Sequence, residues 1–326
     1  MTLSAEDLVG AVTEASRRIR QHVRETPVEF SGSLSELLGA RVHLKLENTQ
    51  LTGSFKVRGA LNKLLSLAPD ERARGVVAAS SGNHGAGVAC AAGIAGCRAL
   101  VFVPDHAPAH KVAAITALGA EVQRHGHDCV LTEQHARAFA DAEGMTYVSP
   151  YNDPAVIAGQ GTIAAELERQ VNPMDAVFVA LGGGGLISGI GGYLRGKAHG
   201  AQVIACSPAN SPVMHESVRA GEIVEMESLP TLSDSTAGGV EAGAITFPLC
   251  EELIDDSVLV TEQEIASALR LVIERHHTLI EGAAAVAVAG LTKVAERYHG
   301  KDVVVVLCGA NIGADTLGEV LTTELP

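Results

Sequence analysis

Positive charge is the first thing this chain is short of: 24 Lys and Arg stand against 38 Asp and Glu, a net charge of −14. That balance argues against a nucleic acid or an anionic membrane as partner. No apolar run approaches the roughly 18 residues of a membrane-spanning helix, although 47% of the residues are hydrophobic. The opening stretch, Met1-Thr2-Leu3-Ser4-Ala5-Glu6-Asp7, lacks the basic-then-apolar order of a secretion signal. The six cysteines (90, 97, 129, 206, 250 and 308) form no CxxC and no compact framework, so they read as reduced thiols. Aromatics amount to only 3%, and neither a low-complexity tract nor a fixed-period repeat is present. A soluble, cytoplasmic protein is expected, with a small molecule as its partner.

What the chain does have is length, 326 residues, and glycine, 35 of them, clustered rather than spread as in a linker. The length suits one large or two medium domains. Apolar runs such as Gly75-Val76-Val77-Ala78-Ala79-Ser80, Arg98-Ala99-Leu100-Val101-Phe102-Val103-Pro104, Ala176-Val177-Phe178-Val179-Ala180-Leu181 and Val303-Val304-Val305-Val306-Leu307 alternate with helical patterns. This predicts an α/β protein with two open, mostly parallel sheets covered on both faces. One series falls at about 75–150 and the other in the remainder, with a cleft between them. Residues 5–24 read as an amphipathic helix ended at Pro27, Gly39 as a helix stop, Pro69 as the end of the helix that Arg58 starts, and 283–297 as one helix.

Chemistry is expected at the polar or glycine-rich ends of strands, where open α/β sheets bind ligands. Gly182 to Gly185, between an apolar strand and a helix, offers free amides and a helix dipole to a phosphate. It is no dinucleotide fingerprint, because Ile187 or Ser188 holds the third glycine position. Nor is the stretch Gly191 to Lys197 a Walker A loop, since Ala198 supplies no hydroxyl. The bland alternative is a tight turn. Ser80-Ser81-Gly82-Asn83-His84 opens a helix with hydroxyls and amides, which suits either a carboxylate or ordinary capping. Lys56, in Gly53-Ser54-Phe55-Lys56-Val57-Arg58-Gly59-Ala60, stands where a strand turns into a helix; alone it could be a solvated surface charge. A phosphate cradle, a carboxylate cradle and an amine together point to pyridoxal phosphate.

With Glu281-Gly282-Ala283-Ala284 and Cys308-Gly309-Ala310-Asn311, these motifs carry a resemblance over essentially the whole chain. The sequence resembles the serine/threonine dehydratase branch of the fold-type-II (tryptophan-synthase-like) pyridoxal phosphate enzymes. The resemblance implies a cofactor in the interdomain cleft. Residues 1–74 plus 151–326 would form a large cofactor-binding domain, and 75–150 a small mobile one closing on the substrate. Lys56 would hold the cofactor as a Schiff base and, once released, act as base on the substrate α-carbon. Phe55 would lie against the ring and Asn83 on its 3-hydroxyl, with Cys308, in the family's usual serine position, facing the ring nitrogen. Gly182, Gly183, Gly184, Gly185 and Leu186 would bind the phosphate. Ser80, Ser81, Asn83 and His84 would receive the substrate carboxylate, Ser81 also being the acid/base of racemising relatives. The reaction implied is β-elimination of water from a β-hydroxy-α-amino acid, giving a 2-oxo acid and ammonia, in a homodimer. Family alternatives are a racemase or a β-replacement synthase; a catalytically silent ligand-binding homologue is the other reading.

Departures from the family pattern are also expectations. The family's divalent-cation positions are Ser207, Ser211 and Val213 here, so no metal is expected. His106 with His110 and His276 with His277 lack an acidic or cysteine partner and are not read as metal ligands. In Leu232-Ser233-Asp234-Ser235-Thr236-Ala237-Gly238-Gly239, Ser235 replaces a glycine of the loop that meets the substrate side chain, and Thr236 follows it. The loop resembles that of dehydratases for less common substrates, including hydroxyectoine-derived amino acids; 3-hydroxyaspartate and phenylserine are further candidates. It puts threonine itself in doubt. The end at Pro326 leaves no room for the regulatory domain of biosynthetic threonine dehydratases. Glu281 reads as an acid on a helix N-terminus, and by resemblance as a neighbour of the cofactor ring.

Overall fold

The structure, a computed structural model, describes residues 4–322. Helix α1 (Ala5–Ile19) opens with a reciprocal cap: the Ser4 hydroxyl accepts from the Asp7 amide at 3.2 Å, and the Asp7 carboxylate accepts from the Ser4 amide at 3.0 Å. It stops well before Pro27, because the amides of His22 and Val23 both turn back onto the Ile19 carbonyl. Strand β1 (Val28–Phe30), helix α2 (Gly32–Leu38) and strand β2 (Arg41–Lys45) follow. Gly39 ends α2 at a left-handed φ of 68°. Helix α3 (Lys56–Ser66) begins on the lysine itself. Pro69 does not close that helix but opens the next, α4 (Pro69–Arg74), where its fixed φ and missing N–H suit the first position.

The chain then runs through β3 (Val76–Ala79), α5 (Asn83–Ala95), β4 (Ala99–Val103), α6 (Ala109–Ala117), β5 (Glu121–Arg124), α7 (Cys129–Glu143) and β6 (Thr146–Tyr147). These strands form a sheet in the order β5-β4-β3-β6, parallel throughout. Successive residues point to opposite faces. Val77, Leu100 and Phe102 pack with Ala136 and Ala140 of α7, whereas Val76, Ala78 and Val101 pack with Val88 and Ala92 of α5. Both faces of the two central strands are therefore covered, which is why β3 and β4 are apolar at every position rather than alternating.

Beyond α8 (Pro154–Gln170) come β7 (Ala176–Ala180), α9 (Gly185–Gly196), β8 (Gln202–Pro208), α10 (Val213–Ala220), α11 (Thr246–Leu253) and β9 (Asp256–Val260). Helices α12 (Glu262–His276) and α13 (Gly282–Lys293), strand β10 (Asp302–Val306) and α14 (Ala314–Thr322) complete the chain. The stretch 283–297 is not one helix: a short 3-10 turn, Ala295–Tyr298, follows α13. The second sheet has the order β1-β2-β10-β7-β8-β9, antiparallel only between β1 and β2. Its central strands β7 and β10 are buried at every residue. Helix α13 crosses β7, β8, β9 and β10, while α1, α8 and α9 pack together. Among the described residues no helix is long and apolar enough to cross a membrane.

Candidate active site

Lys56 is placed by the end of β10. The Asn48 amide donates to the Leu307 carbonyl at 2.7 Å, Phe55 N to Cys308 O at 3.1 Å, and Ala310 N to Gly53 O at 2.8 Å. This ladder brings Cys308 and Lys56 into one electrostatic neighbourhood. From the other side α5 seats on the lysine's backbone, and it can do so only at a glycine. A Cβ on Gly87 would lie 3.1 Å from both Lys56 C and Val57 N. The Lys56 Nζ donates to the Pro150 carbonyl at 2.9 Å. It borders a cavity but is ringed by protein, and this burial pulls its pKa down to about 8 against the opposing pull of Cys308 and Glu281. Burial also pushes the Cys308 thiol well above its usual range, with Glu281 adding to the effect, so it stays neutral.

The first turn of α3 is pinned by charges that the sequence reading did not single out. Arg58 is fully buried and forks onto two carboxylates. It reaches Glu47 from Nε and Nη2, both at 2.8 Å, and Glu166 from Nη1 at 2.6 Å and Nη2 at 2.9 Å. Lys45, equally buried, donates to Glu166, to the Thr26 carbonyl at 2.8 Å and to Gln170 at 2.9 Å. Burial pulls the Arg58 pKa down, but Glu47 and Glu166 outweigh it and leave it raised. Two cations and two carboxylates thus cancel inside the fold, as buried charges must. The available signal was charge inside an apolar strand pattern, Val42 to Glu47.

The glycine run lies at the carboxyl end of β7, with Gly184 at φ 87° as the cap of α9. Its backbone is walled in. A Cβ on Gly183 would lie 2.4 Å from the Tyr151 ring, and one on Gly182 would lie 3.0 Å from Thr236 Cα. Tyr151, one residue after the carbonyl that Lys56 grips, therefore links the lysine to the glycine turn; the sequence reading missed it. Leu186 follows in the first turn of α9 and is buried.

Ser80 to His84 connects β3 to α5. Ser80 Oγ accepts from Gly82 N at 3.1 Å. Asn83 is held from the other sheet: its Nδ2 donates to Glu281 at 2.8 and 3.0 Å, and its Oδ1 accepts from Asn311 Nδ2 at 2.7 Å. Glu281 caps α13, also accepts from the Asn311 amide at 3.0 Å, and has its pKa raised by burial against the Asn83 hydrogen bond. Only glycine fits beside it, since a Cβ on Gly309 would lie 2.7 Å from the Glu281 carboxyl. The His84 ring is neutral, its pKa pushed down to about 3 by burial, then by Lys56, and its Nε2 meets the Val148 carbonyl at 2.8 Å. What His84 offers an anion is thus its backbone amide in the first turn of α5.

A cavity of about 880 Å³ collects Lys56, Ser80, Ser81, Asn83, His84 and Ser235, with Pro150 and Asn311. Small-molecule sites span roughly 300–1,000 Å³. Phe55, Cys308, Thr236 and the glycine turn are not on its surface but in the surrounding wall. Ser207 and Ser211, two of the positions read for a metal, spend their hydroxyls on Leu181 O at 3.3 Å and Ser228 Oγ at 2.8 Å, and Val213 begins α10. The cavity's rim carries one ion pair, Lys111–Asp234 at 3.3 Å, and a second, Arg137–Glu241 at 2.7 Å, joins α7 to the loop before α11.

This geometry, a half-buried lysine facing an amide-lined cavity beside a glycine turn at a helix N-terminus, is that of a vitamin-B6-type enzyme. The chain belongs to the pyridoxal-phosphate dependent enzyme family, which matches residues 19–309. It is 39% identical to the L-threonine ammonia-lyase of Thermotoga maritima, covering 96% of this chain and 78% of that one. It is 38% identical to the L-threo-3-hydroxyaspartate ammonia-lyase of Saccharomyces cerevisiae, covering 93% of each. The processed form of threonine deaminase isoform 2 from Solanum lycopersicum superposes with a TM-score of 0.92 at 32% identity, covering 98% of this chain and 94% of that one.

The residues present fit the cofactor. The lysine is half-buried and its pKa is lowered, the glycine turn leaves no room for a Cβ where a phosphate would need the backbone, and the hydroxyl of Ser54, two residues before Lys56, is buried without a partner.

Proposed function

We propose that the protein is a pyridoxal-phosphate-dependent ammonia-lyase that eliminates water from a β-hydroxy-α-amino acid and releases a 2-oxo acid and ammonia. The observation that carries this reading is Lys56: a half-buried amine with its pKa drawn to about 8, on the same cavity as the amide-rich turn Ser80 to His84. Lys56, Phe55, Asn83, Gly182 to Gly185, Leu186 and Cys308 would hold the cofactor, which supplies electron withdrawal from the substrate's α-carbon. Cys308, a neutral thiol, is a weak donor at the ring nitrogen. That weakness favours elimination over reactions needing a long-lived carbanion.

The α-carboxylate is received by the hydroxyls of Ser80 and Ser81 and by the amides opening α5, where the helix dipole favours an anion. Lys56, once deprotonated, takes the α-proton. The β-hydroxyl departs with a proton as water, and hydrolysis restores that water while releasing ammonia, so no oxidant or reductant is consumed. Ser81, on the same cavity, supplies a second proton-carrying group, which supports racemisation as a side activity. Residues 75–150 act as a small domain closing on the large one, formed by 1–74 and 151–326, in a cytoplasmic homodimer. Six free cysteines suit a reducing compartment, and Phe30, 59% exposed on the edge strand β1, offers apolar surface to a second copy.

Ammonia release by the cofactor-loaded protein tests the proposal. The panel is serine, threonine, 3-hydroxyaspartate, phenylserine and a hydroxyectoine-derived amino acid, each as separate stereoisomers, with Lys56→Ala as control. Release from at least one, abolished in the control, is expected. A coloured, loaded protein that releases ammonia from none would overturn it.

A further inference from the structure

The cavity continues past the Ser80–His84 turn along α6, and there its wall carries the ammonium of Lys111. His106, His110 and Lys111 border it, and among the described residues lining it Asp234 is the only carboxylate. Asp234 is already engaged with Lys111, Nζ to Oδ2 at 3.3 Å. That pair hangs directly from the substrate turn. Asp234 Oδ1 accepts from Ser235 Oγ at 3.2 Å, and Ser235 Oγ lies 3.4 Å from Asn83 Nδ2. Three contacts therefore connect the ammonium of Lys111 to the amide that opens α5. The two partners are unequally shielded, the Lys111 side chain being 28% exposed and that of Asp234 60%. A pair open to water on the carboxylate side contributes little and is readily exchanged. The same ammonium facing a carboxylate inside a closed, drier cavity is worth more.

Building on the ammonia-lyase reading, we propose that Lys111 determines substrate choice by taking a second carboxylate, carried on the substrate's β-carbon, in exchange for Asp234. The substrate class is then the short β-hydroxy-α-amino dicarboxylic acids, of which 3-hydroxyaspartate is the smallest. The α-carboxylate goes to the amides of α5 and the β-carboxylate to Lys111. An overall acidic protein gains from such a local cation, which offsets its own repulsion of a dianion.

Binding and turnover are measured separately on the cofactor-loaded protein. Malate and lactate differ by one carboxylate and carry no amine to react, so calorimetry with each isolates the second anion. Malate is expected to bind at least about 10-fold more tightly than lactate. Lys111→Met should erase that difference without altering lactate, Lys111→Arg should keep most of it, and Asp234→Asn should tighten malate by removing the competitor. In turnover, Lys111→Met should lower kcat/KM for 3-hydroxyaspartate by roughly 10- to 100-fold and leave serine unchanged. Equal binding of malate and lactate would overturn the proposal. So would a Lys111→Met protein that weakens on both substrates alike, or an Asp234→Asn protein that loses malate as Lys111→Met does. A Lys111-dependent preference for malate without ammonia release from any amino acid would remove the lyase reading and leave the dicarboxylate site standing.

Discussion

Lys56 has to shed a proton before it can accept one, and its surroundings already push it that way. Its folded pKa of about 8 lies below the ordinary 10.5. Between those values the unfolded chain binds more protons than the folded one, so stability rises with pH across that window. Below pH 8 the folded protein shelters an ammonium that water would solvate better, and the full penalty applies. Lys56→Met removes the charge and keeps the bulk. The cofactor-free variant is expected to be more stable than the cofactor-free parent at pH 7 by on the order of 2–3 kcal/mol. Denaturant titrations at pH 7 and pH 10 would show the parent gaining stability and the variant lacking that gain. A variant no more stable than the parent at pH 7 would mean that the lysine is better solvated than its enclosure implies. The neighbouring Glu281 shows how the site shares its charges: its carboxylate faces Asn83 and Asn311 instead of the lysine, so the base is not held protonated by a direct ion pair.

Helix α3 presents Lys56 on its first residue, where a helix is least constrained, and what fixes that turn is Arg58. With Arg58 removed, Glu47 and Glu166 would share only Lys45 inside the fold. Arg58→Met is therefore expected to destabilise the protein by about 3–5 kcal/mol and to lower its retention of cofactor. Pairing it with Glu47→Gln restores charge balance and should recover part of the loss, read as the midpoint of thermal or denaturant unfolding. Additive losses in the double variant would show that packing, not charge, seats the helix. This cluster also marks where sequence reading runs out. The strands β3, β4, β7 and β10 were legible because burial on both faces leaves an uninterrupted apolar run, and the glycine turn and Lys56 because each follows such a run or a strand-like alternation. Strand β1 was not, since three residues with an exposed Phe30 carry no period. The half-exposed β9 and the short α11 were missed for the same lack of a one-sided pattern. Lys45, Glu47, Arg58 and Glu166 come from separate elements, and no spacing announces that they meet. Tyr151 likewise becomes part of the site only through its contact with Gly183 and Gly185.

The two sheets meet across the cavity, joined by the packing of α5 on α3 and by a few polar contacts at the cavity's far side. Glu241, on the loop before α11, pairs with Arg137 of α7 at 2.7 Å, and Arg137 lies 4.3 Å over the Tyr147 ring. The Glu241 amide donates to the Tyr151 hydroxyl at 3.0 Å, and that ring covers the glycine turn. One residue thus ties the small sheet's outer helix to the glycine turn of the large one. If closing of 75–150 completes the site, then weakening this tie opens it without touching Lys56. Glu241→Gln keeps the shape and removes the charge. Because both partners remain partly exposed, the pair is worth about 1 kcal/mol, so KM for the best substrate should rise roughly fivefold while kcat changes much less. Salt supplies the control. In the parent, KM should climb as ionic strength goes from about 0.05 to 1 M, as a screened surface pair loses its attraction, whereas in Glu241→Gln that part of the salt dependence should be gone. A variant whose KM matches the parent's at low salt would show that the pair decorates an interface held by the α3–α5 packing and the buried Asn83–Glu281 contact.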